Sequence, residues 1–273
     1  MAIGRSINLF LLDGNPDGVI VGELYNWTGK TYKIPRNNLK ELNTRSDLKK
    51  AGVYFLFGRN DDDNLAVYIG EAEEVYKRLT QHLEKDFWSE ALVFISKDEN
   101  LNKAHIKYLE FILYEKAKET NRYELKNSNV PAKPSISEAE MAVMLEFSEN
   151  LLLMTGTIGY RVFEKITKEK MDKKDYYYIK SAKGSDAKGI ITSEGFVVLK
   201  DSKIANEEAP SIQKAFKQKR ENLIRENVIK DWTFSKDYLF SSPSTAAAVV
   251  MGRSANGLTE WKKKDGTSIK DNE

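Results

Sequence analysis

Two apolar phrases of the sequence carry tyrosines and are followed by an arginine and a histidine. GVYFLFG contains Tyr54, and AVYIGEAEEVYKRLTQH contains Tyr68, Arg78 and His82. Arg78 and His82 are four positions apart, so a helix would place them on one face. Tyrosine and histidine move protons and arginine binds anions, so the set suits chemistry on an anionic group if this face turns toward the tyrosines. The structural alternative is that Arg78 pairs with Glu74 and His82 only packs.

A carboxylate falls on the apolar stripe of the next predicted helix. Ile106, Leu113 and Ala117 form the stripe, and Glu110 lies between the first two. A carboxylate at a core-facing position is paired, hydrogen-bonded or bound to a metal. A structural salt bridge explains Glu110 equally well.

Composition restricts the metal chemistry available to the chain. The 273 residues are 41% hydrophobic and 31% charged, which is typical of a globular protein. The absence of cysteine excludes disulfides, thiolate zinc sites and a cysteine nucleophile. His82 and His105 are the only histidines, which disfavours a histidine-built metal site. A metal here would be a hard cation held by carboxylate and water, so Mg²⁺ or Mn²⁺.

The elements that position these residues follow from hydrophobic patterning. GVYFLFG and LAVYIG flank the turn NDDDN and predict an antiparallel hairpin, and EEVYKRLTQHLEK predicts a helix. Two longer helices follow, one with Asp98 or Asn100 as its N-cap and one starting at a Ser-x-x-Glu cap in SEAEMAVMLEFSENLLLM. Upstream, SINLFLL and VIVGELYNWTGKTYKIP predict three further strands.

The tyrosines, arginine, histidine and helix-borne glutamate, in this order, resemble the GIY-YIG nuclease superfamily over Gly52 to Asn127. The resemblance implies an α+β fold with a small antiparallel three-stranded sheet flanked by helices, here with an N-terminal strand extension. It also implies hydrolysis of phosphodiester bonds assisted by a divalent metal.

The same resemblance assigns roles to the five residues. Glu110 would bind one Mg²⁺ or Mn²⁺, and Arg78 would clamp the phosphate oxygens. Tyr54 is favoured as the general base and Tyr68 as the residue that positions water or phosphate. His82 would assist the tyrosine or the phosphate.

Three neighbouring residues are expected to support the site. Gly70 would keep the end of its strand clear of the substrate phosphate, and Asn127 resembles the late asparagine of the family. Glu71 departs from the family pattern, in which several members have a lysine or a small polar residue. It could repel substrate, join the metal shell or help to activate water, and its role is open.

The C-terminal part of the chain resembles a small domain of unknown function appended to GIY-YIG and restriction–modification proteins. The resemblance rests on FSSPSTAAAVVMGRSANGLTEWK and AKGIITSEGFVVLKDSKI. Asn256-Gly257 predicts a hairpin turn, and Trp261 is expected in the core rather than as a base-stacking platform. Lys262, Lys263 and Lys264 form a basic edge suited to a nucleic-acid backbone.

The chain is expected to contain two domains. Residues 1–166 would hold the strand extension and the nuclease domain, with its core at 50–130. A linker at 167–175 would precede a smaller α+β, substrate-engaging domain at 176–273. Residues 1–165 have a net charge of −3 and residues 166–273 of +5. This asymmetry is consistent with a nucleic-acid partner, although a lysine-rich solvated surface explains it as well.

These observations predict a metal-dependent endonuclease, with DNA favoured over RNA as substrate. The alternatives are an RNA-cleaving defence or toxin-type nuclease and a non-catalytic nucleic-acid-binding protein on the same scaffold. One site cuts one strand, so cleavage of a duplex would need a homodimer or successive nicks. We expect a cytoplasmic protein without membrane contact, because no apolar run approaches the ~20 residues that span a bilayer.

Overall fold

A computed structural model describes residues 4–60, 64–165, 176–192, 194–210 and 212–272. The chain divides into two compact units, Met1–Glu164 and Lys165–Glu273. The predicted linker 167–175 lies outside the described residues. No helix in the described part of the chain has the length and apolar character needed to cross a membrane.

The first unit is built on one seven-stranded sheet. Its strands are β1 (Ile7–Leu11), β2 (Ile20–Leu24), β3 (Gly29–Pro35), β4 (Gly52–Arg59), β5 (Leu65–Ala72), β6 (Trp88–Ser96) and β7 (Glu124–Leu125). They lie in the order β1-β2-β3-β6-β4-β5-β7, and all neighbours are antiparallel except β5 and β7. The predicted hairpin is confirmed as β4–β5.

The α+β class is confirmed, but the expected small three-stranded sheet is corrected to a larger one. β4 pairs with β5 and β6, while β6 pairs along its length with β3, and β3 continues into β2 and β1. The N-terminal strands therefore belong to the same sheet. Pairing with β3 satisfies the backbone groups that β6 would otherwise expose at a sheet edge.

The two faces of the sheet are covered by different helices. The helices are α1 (Val75–Gln81), α2 (Lys103–Thr120), α3 (Glu138–Ile158) and the 3₁₀ helices Arg36–Thr44, Ser46–Lys49 and His82–Glu84. Because side chains alternate along a strand, Val53 and Phe55 join a core with α2 and α3. Tyr54 and Leu56 belong to a second core, which includes residues of α1 and of the first two 3₁₀ helices.

The helix starts were predicted with mixed success. α3 begins after Ser137 in the expected capping box. The N-cap of α2 is Asn102, not Asp98 or Asn100. The Asp98 side chain instead accepts a hydrogen bond from Ser96 Oγ, so it is not available to cap the helix.

In its described residues, the second unit combines two small sheets with three α-helices and one 3₁₀ helix. Its elements are β8 (Tyr176–Lys180), β9 (Asp186–Thr192), β10 (Gly195–Val198), α4 (Lys214–Arg225), β11 (Ile229–Lys230), β12 (Thr233–Phe234), β13 (Tyr238–Phe240), α5 (Pro243–Met251), α6 (Gly257–Glu260) and the 3₁₀ helix Lys270–Asn272. One sheet has the order β13-β10-β9-β8, and the other pairs β11 with β12.

Trp261 lies in the core of the second unit, as predicted. It is fully buried, and its indole nitrogen donates a hydrogen bond to the carbonyl of Pro243. The predicted hairpin turn at Asn256-Gly257 is wrong, because Asn256 caps α6. A hairpin forms a few residues later, where Lys263 accepts from and donates to the main chain around Gly266 and Thr267.

Candidate active site

The β4–β5 pairing places the two tyrosines side by side. Tyr54 lies opposite Gly70, and Tyr68 lies opposite Leu56, so both rings rise from the same face of the sheet. Their centroids are 6.2 Å apart. Tyr54 is fully buried, whereas Tyr68 is half-buried and keeps access to solvent.

Gly70 makes room for this arrangement. A Cβ atom at this position would lie 2.5 Å from the Tyr54 hydroxyl and 2.8 Å from the Tyr68 ring. The expected role of Gly70 was to clear space for a phosphate. In the structure the space is used by the tyrosines themselves.

Asn127 fixes the strand that carries Tyr68 and Gly70. Its Oδ1 accepts from the Ile69 amide at 3.1 Å, and its Nδ2 donates to the Ile69 carbonyl at 2.7 Å. The asparagine side chain thus continues the ladder that β7 begins alongside β5. It holds the main chain between the two functional positions.

Arg78 and His82 reach the tyrosines from α1 and the turn after it. His82 is buried, and its Nε2 lies 2.8 Å from the Tyr54 hydroxyl. The guanidinium of Arg78 lies beside the hydroxyls of Tyr54 and Tyr68, and its interaction with Tyr54 raises the pKa of Arg78. The alternative pairing of Arg78 with Glu74 is not present among the described residues. Arg78 donates instead to Gln81 at 2.9 Å.

Burial keeps the Tyr54–His82 pair neutral. Burial, with the nearby charges of Lys85 and Arg78, lowers the pKa of His82 to about 4. Burial also raises the pKa of Tyr54 above its ordinary value, although Arg78 opposes this shift. With the imidazole proton on Nδ1, the neutral His82 accepts the Tyr54 hydrogen bond at Nε2. The neutral pair therefore holds the Tyr54 hydroxyl in place beside Tyr68.

Two carboxylates lie on the α2 side of the same strand end. Burial and the negative charge of Glu71 raise the pKa of Glu110 to about 7. Burial also raises the pKa of Glu71. The positive charges of Lys107 and, to a smaller extent, Arg78 act on both acids and partly oppose the rise of both pKa values. Arg78 therefore connects the carboxylates electrostatically to the tyrosine hydroxyls.

The donor set fits a single hard cation. Neither Glu71 nor Glu110 forms an ion pair with a basic side chain in the described part of the chain, and their like charges oppose each other. Mg²⁺ is commonly held by one or two carboxylates with water and substrate phosphate. No cluster of three or more metal-binding side chains occurs among the described residues, so a closed protein cage is not formed there.

Sequence reasoning missed one residue of this cluster, Lys85. Its ammonium lies 4.3 Å from the centre of the Tyr68 ring. Lys85 follows the 3₁₀ helix His82–Glu84, where the α-helical spacing used to relate Arg78 to His82 no longer applies. A basic residue three positions after His82 is the only signal that the sequence gives for Lys85.

The three lysines assigned to nucleic-acid binding lie in the second unit. Lys262 forms an isolated bridge with Tyr178 of β8. The ammonium groups of Lys263 and Lys264 lie 5.5 Å and 5.8 Å from the rings of Tyr177 and Tyr178. The three lysines therefore lie beside the tyrosines of β8.

Comparison with known proteins gives one finding, in the second unit. Residues 177–273 match the family described as a domain of unknown function, DUF4357. No curated protein and no solved structure matches the chain. No GIY-YIG family model matches the first unit. The resemblance to that family therefore rests only on the residue pattern described above. The C-terminal part of this chain is therefore similar to DUF4357.

Proposed function

We propose that this protein is a divalent-metal-dependent endonuclease that hydrolyses phosphodiester bonds, with DNA as the favoured substrate. The observation that carries the proposal is the position of Arg78. It lies beside both tyrosine hydroxyls and acts by charge on both Glu71 and Glu110. A phosphate bound to this guanidinium would be within reach of an acid–base pair and of a cation site.

Glu110, with Glu71 beside it, would hold the cation on the α2 side. When bound there, Mg²⁺ or Mn²⁺ would supply Lewis-acid polarisation of the phosphate and stabilisation of the leaving oxygen. Arg78 binds the phosphate oxygens and balances the charge that grows on them in the transition state. This gives Glu71 the role that the sequence left open.

We place the general base at Tyr68, which reverses the roles that the sequence favoured for the tyrosines. A base must touch the attacking water, and Tyr68 retains solvent access while Tyr54 is fully buried. The Tyr68 proton passes to solvent, and the Tyr68 oxygen then takes a proton from the attacking water, while the Tyr54–His82 pair stays neutral. Arg78 stabilises the intermediate Tyr68 phenolate.

DNA is favoured over RNA because the C-terminal domain resembles modules appended to restriction–modification proteins. Lys262, Lys263 and Lys264 would contact the nucleic-acid backbone in this domain. An RNA-cleaving enzyme and a non-catalytic nucleic-acid-binding protein are separate outcomes of the same experiment.

The test is a cleavage assay of the full chain with Mg²⁺ or Mn²⁺ on supercoiled plasmid, single-stranded DNA and structured RNA. Glu110→Gln, Arg78→Ala and Tyr68→Phe should each reduce cleavage by about a hundredfold or more. Glu115→Gln is the matched control on α2, because its carboxylate pairs with Lys118 at 3.6 Å.

The outcomes separate the proposals. Cleavage of DNA that needs metal and Glu110 supports the endonuclease, and cleavage of RNA alone reassigns the substrate. Binding without cleavage of any substrate would contradict the enzyme. A larger loss with Tyr54→Phe than with Tyr68→Phe would return the general base to Tyr54.

A further inference from the structure

We infer that Lys85 and Arg78 together form a binding site for one phosphate group beside Tyr68. The catalytic meaning of this site rests on the proposed function, whereas phosphate binding itself can be tested without it. The GIY-YIG resemblance assigns no role to Lys85.

The two cations lie close to each other around one tyrosine. The Lys85 ammonium is 4.3 Å from the centre of the Tyr68 ring, and Arg78 lies beside the Tyr68 hydroxyl. Burial and the positive charge of Arg78 lower the pKa of Lys85, so the cations repel each other. Neither has a carboxylate partner in an ion pair within the described ranges. An anion between them would relieve the repulsion.

Arg36 holds the segment that presents Lys85. Its Nη1 donates to the carbonyl of Lys85 and, at 3.2 Å, to that of Trp88, while its Nη2 donates to the carbonyl of Leu83 at 2.7 Å. The guanidinium also lies 4.8 Å from the centre of the Trp88 ring. One side chain thus fixes three carbonyls of the 83–88 turn.

Trp88 ties the same turn to His82. Its indole nitrogen donates to the His82 carbonyl at 2.8 Å. Arg36 and Trp88 therefore set the position of the main chain at Lys85 relative to His82. Such pre-organisation lowers the entropic cost of binding an anion.

The pKa of His82 should respond to an anion bound between Lys85 and Arg78. The groups that face it are Tyr54 from β4, Tyr68 from β5, Arg78 from α1 and Lys85 from its own turn. Lys85 and Arg78 both lower the pKa of His82. A phosphate that neutralises them should raise this pKa and shift the imidazole resonances.

The experiment is a titration of the full chain with inorganic pyrophosphate in EDTA, followed by NMR of the imidazoles. The chain has two histidines, so His105 is an internal control. We expect the His82 resonances to move to saturation while those of His105 stay in place. Lys85→Gln should raise the dissociation constant about tenfold, an effect typical of removing one charge-assisted hydrogen bond. Lys77→Gln, at an exposed position on α1, should leave it unchanged.

A second arm uses a fluorescein-labelled single-stranded DNA oligonucleotide in EDTA and follows its anisotropy. Lys85→Gln should weaken binding and reduce the salt slope by about one. If the oligonucleotide binds more tightly than pyrophosphate and this binding depends on Lys85, the ligand of the site is a nucleic-acid polymer. Pyrophosphate binding alone identifies a free phosphate compound, which supports the site but counts against the nuclease.

The proposal is overturned if Lys85→Gln binds pyrophosphate as tightly as the parent, or if His105 responds as strongly as His82. Because Lys85 is exposed, the variant should keep the parent melting temperature, so weaker binding cannot be ascribed to misfolding. Cleavage that survives Lys85→Gln unchanged would remove the catalytic role of the site and leave the proposed nuclease activity intact. Lys85-dependent pyrophosphate binding without cleavage of any substrate would support the phosphate site and contradict the proposed nuclease activity.

Discussion

The charged Glu110 carboxylate lowers the stability of the protein when no metal is bound. Its pKa is raised from 4.5 to about 7 by burial and by Glu71. The folded protein therefore binds this proton more tightly than the unfolded chain, so the carboxyl stabilises the fold at acid pH and this contribution is lost as the pH rises through about 7. A group that destabilises the fold at neutral pH is expected where a cation is to be bound.

Glu110→Gln should therefore stabilise the first unit in EDTA. We expect a gain of about 1–2 kcal/mol near pH 8, which narrows toward pH 5, because the amide carries no charge to bury. Urea unfolding at both pH values measures it, with Glu115→Gln as the control that should show no gain. A Glu110→Gln variant that is less stable than the parent at pH 8 would show that the carboxylate has a stabilising partner.

Gly70→Ala should disturb the tyrosine pair directly. The new Cβ would meet the Tyr54 hydroxyl at 2.5 Å, so the ring must move away from the strand. We expect a loss of about 1–3 kcal/mol in unfolding free energy, as for overpacked cores, and a weakened Tyr54–His82 hydrogen bond. Urea unfolding and the His82 imidazole resonances measure the two effects.

The matched control is Gly4→Ala, since a Cβ at Gly4 has nothing within 4 Å. Equal losses of stability in the two variants would mean that glycine flexibility, not the space beside Tyr54, explains Gly70.

At the scale of elements, the turn between α1 and β6 depends on one arginine of a distant 3₁₀ helix. Arg36→Ala would leave the carbonyls of Leu83, Lys85 and Trp88 without their donor. Hydrogen exchange should then show faster exchange in residues 82–88, while β4 and α2 keep their protection. Lys40→Ala, an exposed change on the same 3₁₀ helix, should leave the turn protected. Uniform loss of protection through the unit would argue against a local clamp.

The elements also show what the sequence could and could not predict. Tyrosine phrases around a turn predict a hairpin from local pattern alone, and the apolar stripe of α2 places Glu110 correctly because helix periodicity is local. The pairing of β3 with β6 joins segments more than fifty residues apart, and nothing in either strand specifies its partner. The 3₁₀ helix His82–Glu84, which Lys85 follows, has a different period from α1. The α-helical spacing that relates Arg78 to His82 therefore could not predict the position of Lys85.

At the scale of the whole molecule, the two parts of the chain differ in charge, from −3 in residues 1–165 to +5 in residues 166–273. An acidic unit that carries a phosphate site gains little from long-range attraction to nucleic acid. The basic unit can supply that attraction, and its effect should depend strongly on salt. The two contributions can be separated by changing the lysines of the second unit alone.

We therefore expect replacement of Lys262, Lys263 and Lys264 by alanine to weaken DNA binding by about tenfold or more at low salt. The salt slope should fall by up to about three, one for each phosphate that the variant no longer neutralises. Pyrophosphate binding at Lys85 should stay at the parent value. Fluorescence anisotropy across a salt series measures the first two effects, and imidazole NMR measures the third.

The control variant replaces Lys214, Lys217 and Lys219 of α4 by alanine, which removes the same charge from the same unit. If charge alone attracts DNA, both triple variants should weaken binding equally, because long-range attraction depends on the total charge of the unit. A larger effect for the Lys262–Lys264 variant shows that these lysines touch the DNA backbone beside the β8 tyrosines, since direct hydrogen bonds to phosphate add to the attraction by charge. Equal effects would instead mean that the second unit attracts DNA only by its charge and that these three lysines do not contact the DNA backbone.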